Sequence, residues 1–286
     1  MAAYAYLNNE FVPEKEAVLS VRDLAIQRGY GIFDFLKVSD GVPLFLEDHL
    51  DRFFFSAMKM DLPIRRSKEE LKEIVDSLIA KNGMGTSGIR LTLTGGVSED
   101  GYSISEPNFI ITESELKPRS EALFERGMKL ITQSYKRQLP EVKSIDYLMA
   151  IRLQSLVRQS GADDVVYTDD GLVLECPRTN IFIVTKDGEV VTPGREILRG
   201  ITRKKVLEAA GRHHTVGERD ITVEELMGAK EVFITSTSKG VIPVVEVDGQ
   251  KISDGKAGPI AHYLDRELLR MKWVYINGYS AQPGSQ

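Results

Sequence analysis

Hydrophobic and polar positions alternate in short runs along the first part of the chain, and this alternation predicts strands. Asn8-Asn9 and Asp40-Gly41 each separate two such runs, which is typical of a tight hairpin turn. The pattern predicts strands over residues 4–7, 11–12, 32–38, 42–45, 89–94 and 109–112.

Helical spacing follows the second hairpin. Apolar residues three and four positions apart predict a helix over 47–60, which ends before Pro63. A second helix is predicted to begin at Ser67, because Glu70 stands three residues later as in a capping box. It is predicted to end near Asn82-Gly83.

The second half of the chain mixes strands and helices without strict β-α-β alternation, which favours the α+β class. Helices are predicted over 144–159, 202–210, 222–227 and 256–273, and strands over 128–132, 165–167, 172–174, 181–184, 190–192, 231–235 and 242–247. A polar, proline-containing stretch predicts a linker over 114–121. We therefore expect one domain over 1–113 and another over 122–286, with a frayed polar tail over 279–286.

Composition narrows the class of protein. The chain has 286 residues, 42% of them hydrophobic, and a net charge of −5, which argues against affinity for nucleic acid or anionic lipid. No run approaches the roughly 20 apolar residues of a membrane span, and the N-terminus lacks the pattern of a signal peptide. These features favour a cytoplasmic protein.

Several kinds of site find no support in the sequence. A single cysteine, Cys176, excludes an internal disulfide and a thiolate metal cluster, and we expect it to be buried. No phosphate loop, nucleophile elbow or His-Glu-x-x-His motif is present. The spacing of the four histidines does not indicate a metal site, and we expect them to be solvated or structural: His49, His213, His214 and His262.

Four separated segments together resemble the class IV aminotransferases, a family of fold-type IV pyridoxal-phosphate enzymes. The segments are Glu47-Asp-His-Leu-Asp-Arg52, Pro140-Glu-Val-Lys-Ser-Ile-Asp-Tyr147, Leu174-Glu-Cys-Pro-Arg-Thr-Asn180-Ile-Phe, and Ile197-Leu-Arg-Gly-Ile-Thr-Arg203 with its companion Phe233-Ile-Thr-Ser-Thr-Ser238. The resemblance extends from about Tyr6 to about Leu269. It implies a two-domain fold-type IV architecture with pyridoxal 5'-phosphate between the domains, and with the lysine and most phosphate contacts in the C-terminal domain.

The resemblance implies that Lys143 carries the cofactor as a Schiff base and acts in catalysis. A lysine amine must be neutral to attack a carbonyl, so we expect Lys143 to be shielded by the apolar residues of the helix predicted after it. An exposed lysine at a helix start is the ordinary alternative. The resemblance also suggests that Tyr147 reaches the phenolic oxygen of the cofactor, although a tyrosine here is equally often part of the core.

Glu175 matches the family's glutamate that pairs with the pyridine nitrogen and keeps it protonated, so that the ring can accept electrons. Asn180 is expected to hold the turn that follows. The sequence departs from the family here, since Pro177 and Arg178 stand where small hydroxyl residues are usual. The hydrogen bonding of this turn is therefore open.

The phosphate is expected to bind three groups. The guanidinium of Arg52 suits two phosphate oxygens at once, although a surface arginine beside a carboxylate would look the same in the sequence. After Gly200, the amides of Ile201 and Thr202 lie at a predicted helix N-terminus. The end of a predicted strand supplies Ser236 and Thr237, residues that elsewhere are commonly just a cap.

The implied reaction is ping-pong transamination between an amino acid and a 2-oxo acid in a homodimer. The chain length and the Lys-Ser-Ile-Asp run are most similar to the D-amino-acid transaminases, of the D-alanine and D-glutamate type. The chain departs from that group because Phe33 replaces a tyrosine and the loop 95–101 lacks an arginine and a histidine.

Two other arginines are candidates for binding the substrate α-carboxylate. We hypothesise that Arg28, on a loop that approaches the neighbouring subunit in this family, acts together with Arg90. The alternatives are an interface ion pair for Arg28 and a solvent-facing strand position for Arg90. Neither alternative needs a substrate.

Three other functions remain open. Arg90 lies in Gly-Ile-Arg, which resembles the branched-chain L-amino-acid aminotransferases, but Thr237-Ser-Lys-Gly240 lacks their Gly-Thr-Ala turn. An aminodeoxychorismate lyase would need the same cofactor and a different pocket. A non-catalytic protein with a relic cofactor site is disfavoured, because Lys143, Glu175 and Arg52 are all present.

Overall fold

The computed structural model describes residues 3–117 and 119–279. These residues form two compact units. The first contains residues 3–117, 142–146 and 272–279, and the second contains 119–141 and 147–271. The segment that carries Lys143 therefore belongs to the first unit, although the residues on both sides of it belong to the second.

The described strands of the first unit form one antiparallel sheet. They are β1 (Tyr4–Leu7), β2 (Glu10–Pro13), β3 (Gly31–Ser39), β4 (Val42–Pro43), β5 (Thr86–Thr94) and β6 (Phe109–Glu115), in the spatial order β2-β1-β6-β5-β3-β4. Both predicted hairpins are confirmed, because Leu7 pairs with Glu10 and Ser39 pairs with Val42. The turns place Asn8 and Asp40 in the left-handed region, which short polar residues tolerate.

Helices α1 (Leu24–Arg28), α2 (Leu46–Lys59) and α3 (Lys68–Asn82) belong to the same unit. The capping box predicted for α3 is confirmed, since Ser67 and Glu70 each accept a hydrogen bond from the other's backbone N–H. Helix α2 packs its apolar face on β3. This packing sets the position of the His49–Arg52 segment above the strand. The short helix α1 is not predicted from the hydrophobic pattern.

The second unit contains a mixed sheet. Within the described residues its strands are β7 (Met128–Ser134), β8 (Asp164–Asp169), β9 (Leu172–Val173), β10 (Glu175–Cys176), β11 (Thr179–Val184), β12 (Val190–Thr192), β13 (Val216–Glu218), β14 (Glu231–Ser236), β15 (Gly240–Val247) and β16 (Gln250–Lys251). The order is β13-β12-β11-β14-β15-β7-β8-β9, with β10 paired to β11 and β16 to β15. Parallel pairs join β7 to β8 and to β15, and β12 to β13.

Apolar side chains cover both faces of the central strands β11 and β14. Phe182 and Phe233 stack with ring centroids 5.0 Å apart on one face, where α7 packs, while Ile181 and Ile234 join the core on the other face. Burial on both faces explains the continuous apolar run in β11. The other helices that begin in this unit are α4 (Glu121–Arg126), α5 (Leu148–Arg152), α6 (Gln154–Ser160), α7 (Ile201–Ala210), α8 (Val223–Met227) and α9 (Pro259–Tyr279).

The continuous helix predicted over 144–159 is wrong. Ile145 donates its N–H to the carbonyl of Gly31 at 3.0 Å, and Phe33 donates to the carbonyl of Lys143 at 2.9 Å, so this segment is extended against β3. Helix begins only at Leu148 and is interrupted at Leu153. Two apolar residues of the predicted helix, which was expected to shield Lys143, are exposed, Leu148 by 77% and Ile151 by 64%. Pairing with a strand distant in sequence has overridden the local helical pattern.

Strand β6 continues through Glu115 and α4 begins at Glu121, so both ends of the predicted linker 114–121 belong to regular elements. One crossing between the units falls within 114–121, and segments 142–146 and 272–279 return to the first unit. Pro118 and residues 280–286 of the predicted tail lie outside the described residues, while α9 includes Tyr279. Within residues 3–117 and 119–279, the helices are too short or too polar to cross a lipid bilayer.

Candidate active site

Lys143 is held by its backbone and is half-buried. Its carbonyl accepts a hydrogen bond from Phe33 on β3, and its N–H donates to Oγ of Ser56 on α2 at 3.2 Å. The Nζ atom lies 4.6 Å from the centroid of the Phe33 ring. The amine therefore lies against an aromatic ring, and a protonated amine is attracted to the face of such a ring.

Phe33 also contacts Arg90. The guanidinium carbon of Arg90 lies 4.2 Å from the centroid of the ring, while Phe33 itself is only 5% exposed. The register explains this contact, because Arg90 pairs with Phe35 and is thus a diagonal neighbour of Phe33 on one face of the sheet. The first unit therefore gathers Lys143 and the exposed Arg90 at one aromatic ring.

The adjacent residue of β3, Asp34, takes part in a buried polar cluster with His49 and Arg52 of α2. Arg52 donates from Nε to Oδ2 and from Nη2 to Oδ1 of Asp34, both at 2.8 Å. Nδ1 of His49 lies 2.7 Å from the same Oδ1 atom. Burial alone would raise the pKa of Asp34, but the charges and hydrogen bonds of Arg52 and His49 outweigh it, so that the pKa lies below its ordinary value.

His49 is 2% exposed and carries no charge at neutral pH. Burial is the largest cause that lowers its pKa, and the positive charges of Arg52 and Lys143 act in the same direction, against the attraction of Asp34. A neutral imidazole that donates from Nδ1 to Asp34 satisfies this geometry. Asp34 thus holds both side chains of the His-x-x-Arg segment in one arrangement.

In the second unit, Glu175 lies at the start of β10 with 5% of its surface exposed. Oε1 accepts from Nε of Arg137 at 2.9 Å and lies 2.8 Å from Nη2 of the same side chain. Oε2 accepts from the backbone N–H of Leu198 at 3.0 Å. The carboxylate is therefore held at both oxygens, and its orientation does not depend on solvent.

Asn180 completes the turn around Leu198. It pairs with Glu175 across the β10–β11 hairpin, and its Nδ2 donates to the carbonyl of Leu198 at 2.7 Å. A Cβ atom on Gly200 would lie 2.1 Å from Oδ1 of Asn180, so only glycine fits at this position. Glu175 and Asn180 together fix the loop that leads into α7.

Helix α7 begins directly after Gly200, which provides no capping side chain. Within the described residues, the backbone N–H groups of Ile201 and Thr202 make no hydrogen bond. Backbone donors at a helix N-terminus are suited to binding an anion, and ten residues of α7 place their dipoles behind them. This is the part of the second unit that could bind a phosphate.

Strand β14 ends beside this helix start. Thr235 pairs with Asn180, so that the two side chains share one face of the sheet, and the buried hydroxyl of Thr235 has no partner in the described part of the chain. Ser236 and Thr237 follow and are half-buried. Ser236 and Thr237 thus lie at the end of the strand beside β11, and Asn180 of β11 binds the loop that leads to Ile201 and Thr202.

The two remaining predicted residues are Arg28 and Tyr147. Arg28 ends α1, is exposed, and donates from Nη1 to the carbonyl of Gln27 at 3.0 Å. It is not among the residues that the described chain brings to Phe33. Tyr147 is half-buried and precedes α5 as its N-terminal flanking residue.

A family model described as amino-transferase class IV matches residues 31–247 of the chain. The chain belongs to the class IV aminotransferases. The match includes Lys143, Glu175 and the α7 N-terminus, and the family that the motifs resembled is thereby confirmed.

Relatives of this aminotransferase carry two different substrate names. The chain is 34% identical over 282 residues to a putative branched-chain-amino-acid aminotransferase of Methanocaldococcus jannaschii, with 94% of this chain and 96% of the relative covered. It is also 34% identical over 272 residues to a D-alanine aminotransferase of Listeria monocytogenes, with 92% and 94% covered.

Solved structures confirm the fold-type IV architecture of this aminotransferase. The branched-chain amino acid aminotransferase of Escherichia coli superposes with a TM-score of 0.89 at 26% identity, and 95% of each chain is covered. The branched-chain aminotransferase of Thermoproteus uzoniensis, solved with norvaline, superposes with a TM-score of 0.87 at 26% identity, and 98% of this chain and 97% of that chain are covered.

The class IV aminotransferases depend on pyridoxal 5'-phosphate, as the sequence predicts. The donor set of this aminotransferase fits that group. Unpaired amides at the start of α7 and the buried hydroxyl of Thr235 suit a phosphate, and a fixed carboxylate at Glu175 suits a pyridine nitrogen. Lys143 supplies an amine for a carbonyl.

Three residues of the site were not found from the sequence. Asp34 lies in a predicted strand and His49 in the Glu47–Arg52 motif, and an acidic residue in a strand with largely apolar neighbours was the available signal. Arg137 has no local signal, because its partner Glu175 is 38 residues away along the chain. Only the fold brings these two residues together.

Proposed function

We propose that this aminotransferase transfers the amino group between D-amino acids and 2-oxo acids, of the D-alanine and D-glutamate type, in a ping-pong mechanism. The observation that carries the proposal is the placement of Lys143 and Arg90 at the ring of Phe33, 4.6 and 4.2 Å from its centroid. A transaminase that binds the substrate α-carboxylate through a guanidinium needs that guanidinium close to the reactive amine.

The α-carboxylate binds Arg90 together with Arg28 in this proposal. A guanidinium can pair both carboxylate oxygens, and an exposed guanidinium can be reached by a substrate. Arg28 acts from the neighbouring subunit of a homodimer in this proposal, and its exposed position at the end of α1 leaves its guanidinium accessible.

The cofactor residues divide by the part of the cofactor that they bind. Arg52, with Asp34 fixing its guanidinium, binds the phosphate together with the amides of Ile201 and Thr202 and with Ser236 and Thr237. Glu175 binds the pyridine nitrogen, and Tyr147 binds the phenolic oxygen.

Bound pyridoxal 5'-phosphate supplies an aldehyde for the substrate amine and a ring that accepts electrons. Lys143 would hold the cofactor through Nζ, and its free amine would move a proton between the substrate α-carbon and the aldehyde carbon of the cofactor. Glu175 keeps a negative charge at the ring nitrogen. His49, being neutral, adds no positive charge beside Lys143.

A second candidate is a branched-chain L-amino-acid aminotransferase. It is supported by the 34% identity to the relative from Methanocaldococcus jannaschii and by the two structural neighbours from Escherichia coli and Thermoproteus uzoniensis, which are named as branched-chain aminotransferases. Against it stands the turn Thr237-Ser-Lys-Gly240, which lacks the Gly-Thr-Ala sequence that the resemblance associates with the L-specific group.

The colour of the protein loaded with pyridoxal 5'-phosphate distinguishes the D-amino-acid candidate from the branched-chain candidate. The purified protein loaded with pyridoxal 5'-phosphate is mixed with D-alanine, with D-glutamate or with L-leucine, and the visible absorbance is followed in the absence of a 2-oxo acid. The proposal predicts that the D-amino acids bleach the yellow colour and that 2-oxoglutarate or pyruvate restores it. Bleaching by L-leucine alone would support the second candidate, and no response to any amino acid would overturn both and favour a lyase.

A further inference from the structure

We propose that Arg137 is the positioning residue for Glu175 and that it joins this carboxylate to the loop that leads to Lys143. The inference rests on the proposed role of Glu175 at the pyridine nitrogen. It assigns to Arg137 two tasks, one of charge and one of geometry, that can be measured separately.

The charge task follows from the contact with Oε1. Arg137 places Nε at 2.9 Å and Nη2 at 2.8 Å from this atom, while its side chain is only 17% exposed. A cation so close to a buried carboxylate stabilises the ionised form of that carboxylate. Glu175 can then accept a hydrogen bond from a protonated ring nitrogen without taking the proton itself.

The geometric task follows from the other contacts of the same guanidinium. Nη2 of Arg137 also donates to the carbonyl of Pro140, and Nη1 lies 3.5 Å from the carbonyl of Leu139. These carbonyls lie three and four residues before Lys143. One planar side chain therefore connects the carboxylate to the chain segment that precedes the amine. Lysine cannot make the same set of contacts, because its donors all lie on one nitrogen.

Glu175 has a second, independent tie on its other oxygen. Oε2 accepts from the N–H of Leu198, two residues before Gly200, whose own position is fixed by Asn180. Glu175 is therefore the junction between the loop toward Lys143 and the loop toward the phosphate-binding amides. Replacement of Arg137 should loosen the connection to the loop before Lys143 and leave the connection to Leu198 in place. Binding of the phosphate should therefore change less than the rate of the reaction at the cofactor ring.

The test compares Arg137→Gln, Arg137→Lys and wild type as enzymes loaded with pyridoxal 5'-phosphate. A matched control is Arg126→Gln, which breaks a similar two-bond pair with Asp163 on an exposed surface of the same unit. Three readouts are taken: the pH at which the bound cofactor changes colour, the dissociation constant of the cofactor from the apoprotein, and the rate of bleaching by D-alanine.

Arg137→Gln removes a positive charge beside Glu175, so protonated forms of the lysine-bound cofactor become more stable. We expect the colour change to move to higher pH by about one unit and the bleaching rate to fall roughly tenfold to hundredfold. Arg137→Lys keeps the charge, so the colour change stays at the wild-type pH, while the bleaching rate still falls because the loop is released. The dissociation constant of the cofactor changes by less than the bleaching rate in both variants.

The inference is overturned if the colour of Arg137→Gln changes at the wild-type pH and Arg137→Lys bleaches at the wild-type rate. It is also overturned if Arg126→Gln changes the pH of the colour change and the bleaching rate as much as the Arg137 variants do. If Arg137→Gln does not fold, the rate of Arg137→Lys decides alone. A wild-type protein that fails to bind the cofactor overturns the proposed function as well, whereas a bleaching wild type with unaffected Arg137 variants overturns only the role of Arg137.

Discussion

His49 and Asp34 lie with Nδ1 and Oδ1 2.7 Å apart, and Arg52 binds both oxygens of the same carboxylate. The cluster is nearly closed to solvent, since Asp34 is 0% and His49 2% exposed. A buried carboxylate with one cation and one neutral donor is balanced in charge. The orientation of Arg52 therefore depends on Asp34, a residue that no motif in the sequence identifies.

Asp34→Asn should destabilise the apoprotein strongly, because it leaves the guanidinium of Arg52 without its anion at a site that is 9% exposed. We expect the free energy of unfolding in urea to fall by about 3–5 kcal/mol. Pyridoxal 5'-phosphate should recover part of this loss by supplying a phosphate anion. The control Asp51→Asn removes an exposed partner of Lys68 and should cost about 1 kcal/mol or less. Equal losses in the two variants, or no recovery with cofactor, would contradict the role of Asp34.

His49 should make the stability of the apoprotein depend on pH. Because the pKa of His49 is lower in the folded state than its ordinary value of about 6.5, the unfolded chain binds more protons as the pH falls through 6.5. Stability is then fully present above pH 6.5 and decreases below it, by at most about 1.4 kcal/mol per pH unit for this one proton. Urea unfolding between pH 5 and 8 should show a shallower decline for His49→Asn, which keeps a donor toward Asp34. Parallel curves for the variant and wild type would rule this out.

Gly200→Ala should weaken cofactor binding. The added methyl group would lie 2.1 Å from Oδ1 of Asn180, so the amides at the start of α7 must shift relative to the strand. We expect the dissociation constant of pyridoxal 5'-phosphate to rise roughly tenfold, equivalent to about 1.4 kcal/mol. Gly228→Ala is the control, since its new methyl group meets the nearest atom at an ordinary 3.4 Å. The phosphate assignment fails if both variants bind the cofactor equally well.

Arg28→Ala and Arg90→Ala should impair substrate binding rather than cofactor binding. Loss of a guanidinium from a carboxylate should raise KM for D-alanine roughly tenfold to hundredfold. The dissociation constant of the cofactor should stay near the wild-type value. Arg22→Ala, which removes an exposed arginine bonded to the carbonyl of Glu99, is the control and should change neither constant. An unchanged KM in either variant would remove that residue from the substrate site.

Much of the fold can be predicted where the determinants are local. A few adjacent residues determine the hairpin turns at Asn8-Asn9 and Asp40-Gly41, the capping box at Ser67 and the start of α7 after Gly200. The helix predicted over 144–159 fails for the opposite reason. Its first residues are held by β3, more than 100 residues earlier in the chain, and no local pattern reveals that pairing.

The candidate site divides in the same way. The segments around Arg52, Lys143, Glu175 and Gly200 are recognisable because each contains its own motif. Their supporting partners are not, since Arg137 and the N–H of Leu198 reach Glu175 only through the folded sheet. The sequence does not determine whether the substrate is a D- or an L-amino acid. Two relatives of 34% identity are named as a D-alanine aminotransferase and as a putative branched-chain-amino-acid aminotransferase.

The most direct test of the central claim is chemical labelling of the lysine. The protein loaded with pyridoxal 5'-phosphate is reduced with sodium borohydride, digested and mapped by mass spectrometry, with Lys143→Ala treated in parallel. We expect the pyridoxyl group on Lys143, and we expect Lys143→Ala to lack both the yellow colour and turnover. A label on another lysine, or a Lys143→Ala variant that keeps its colour and its turnover, would contradict the assignment.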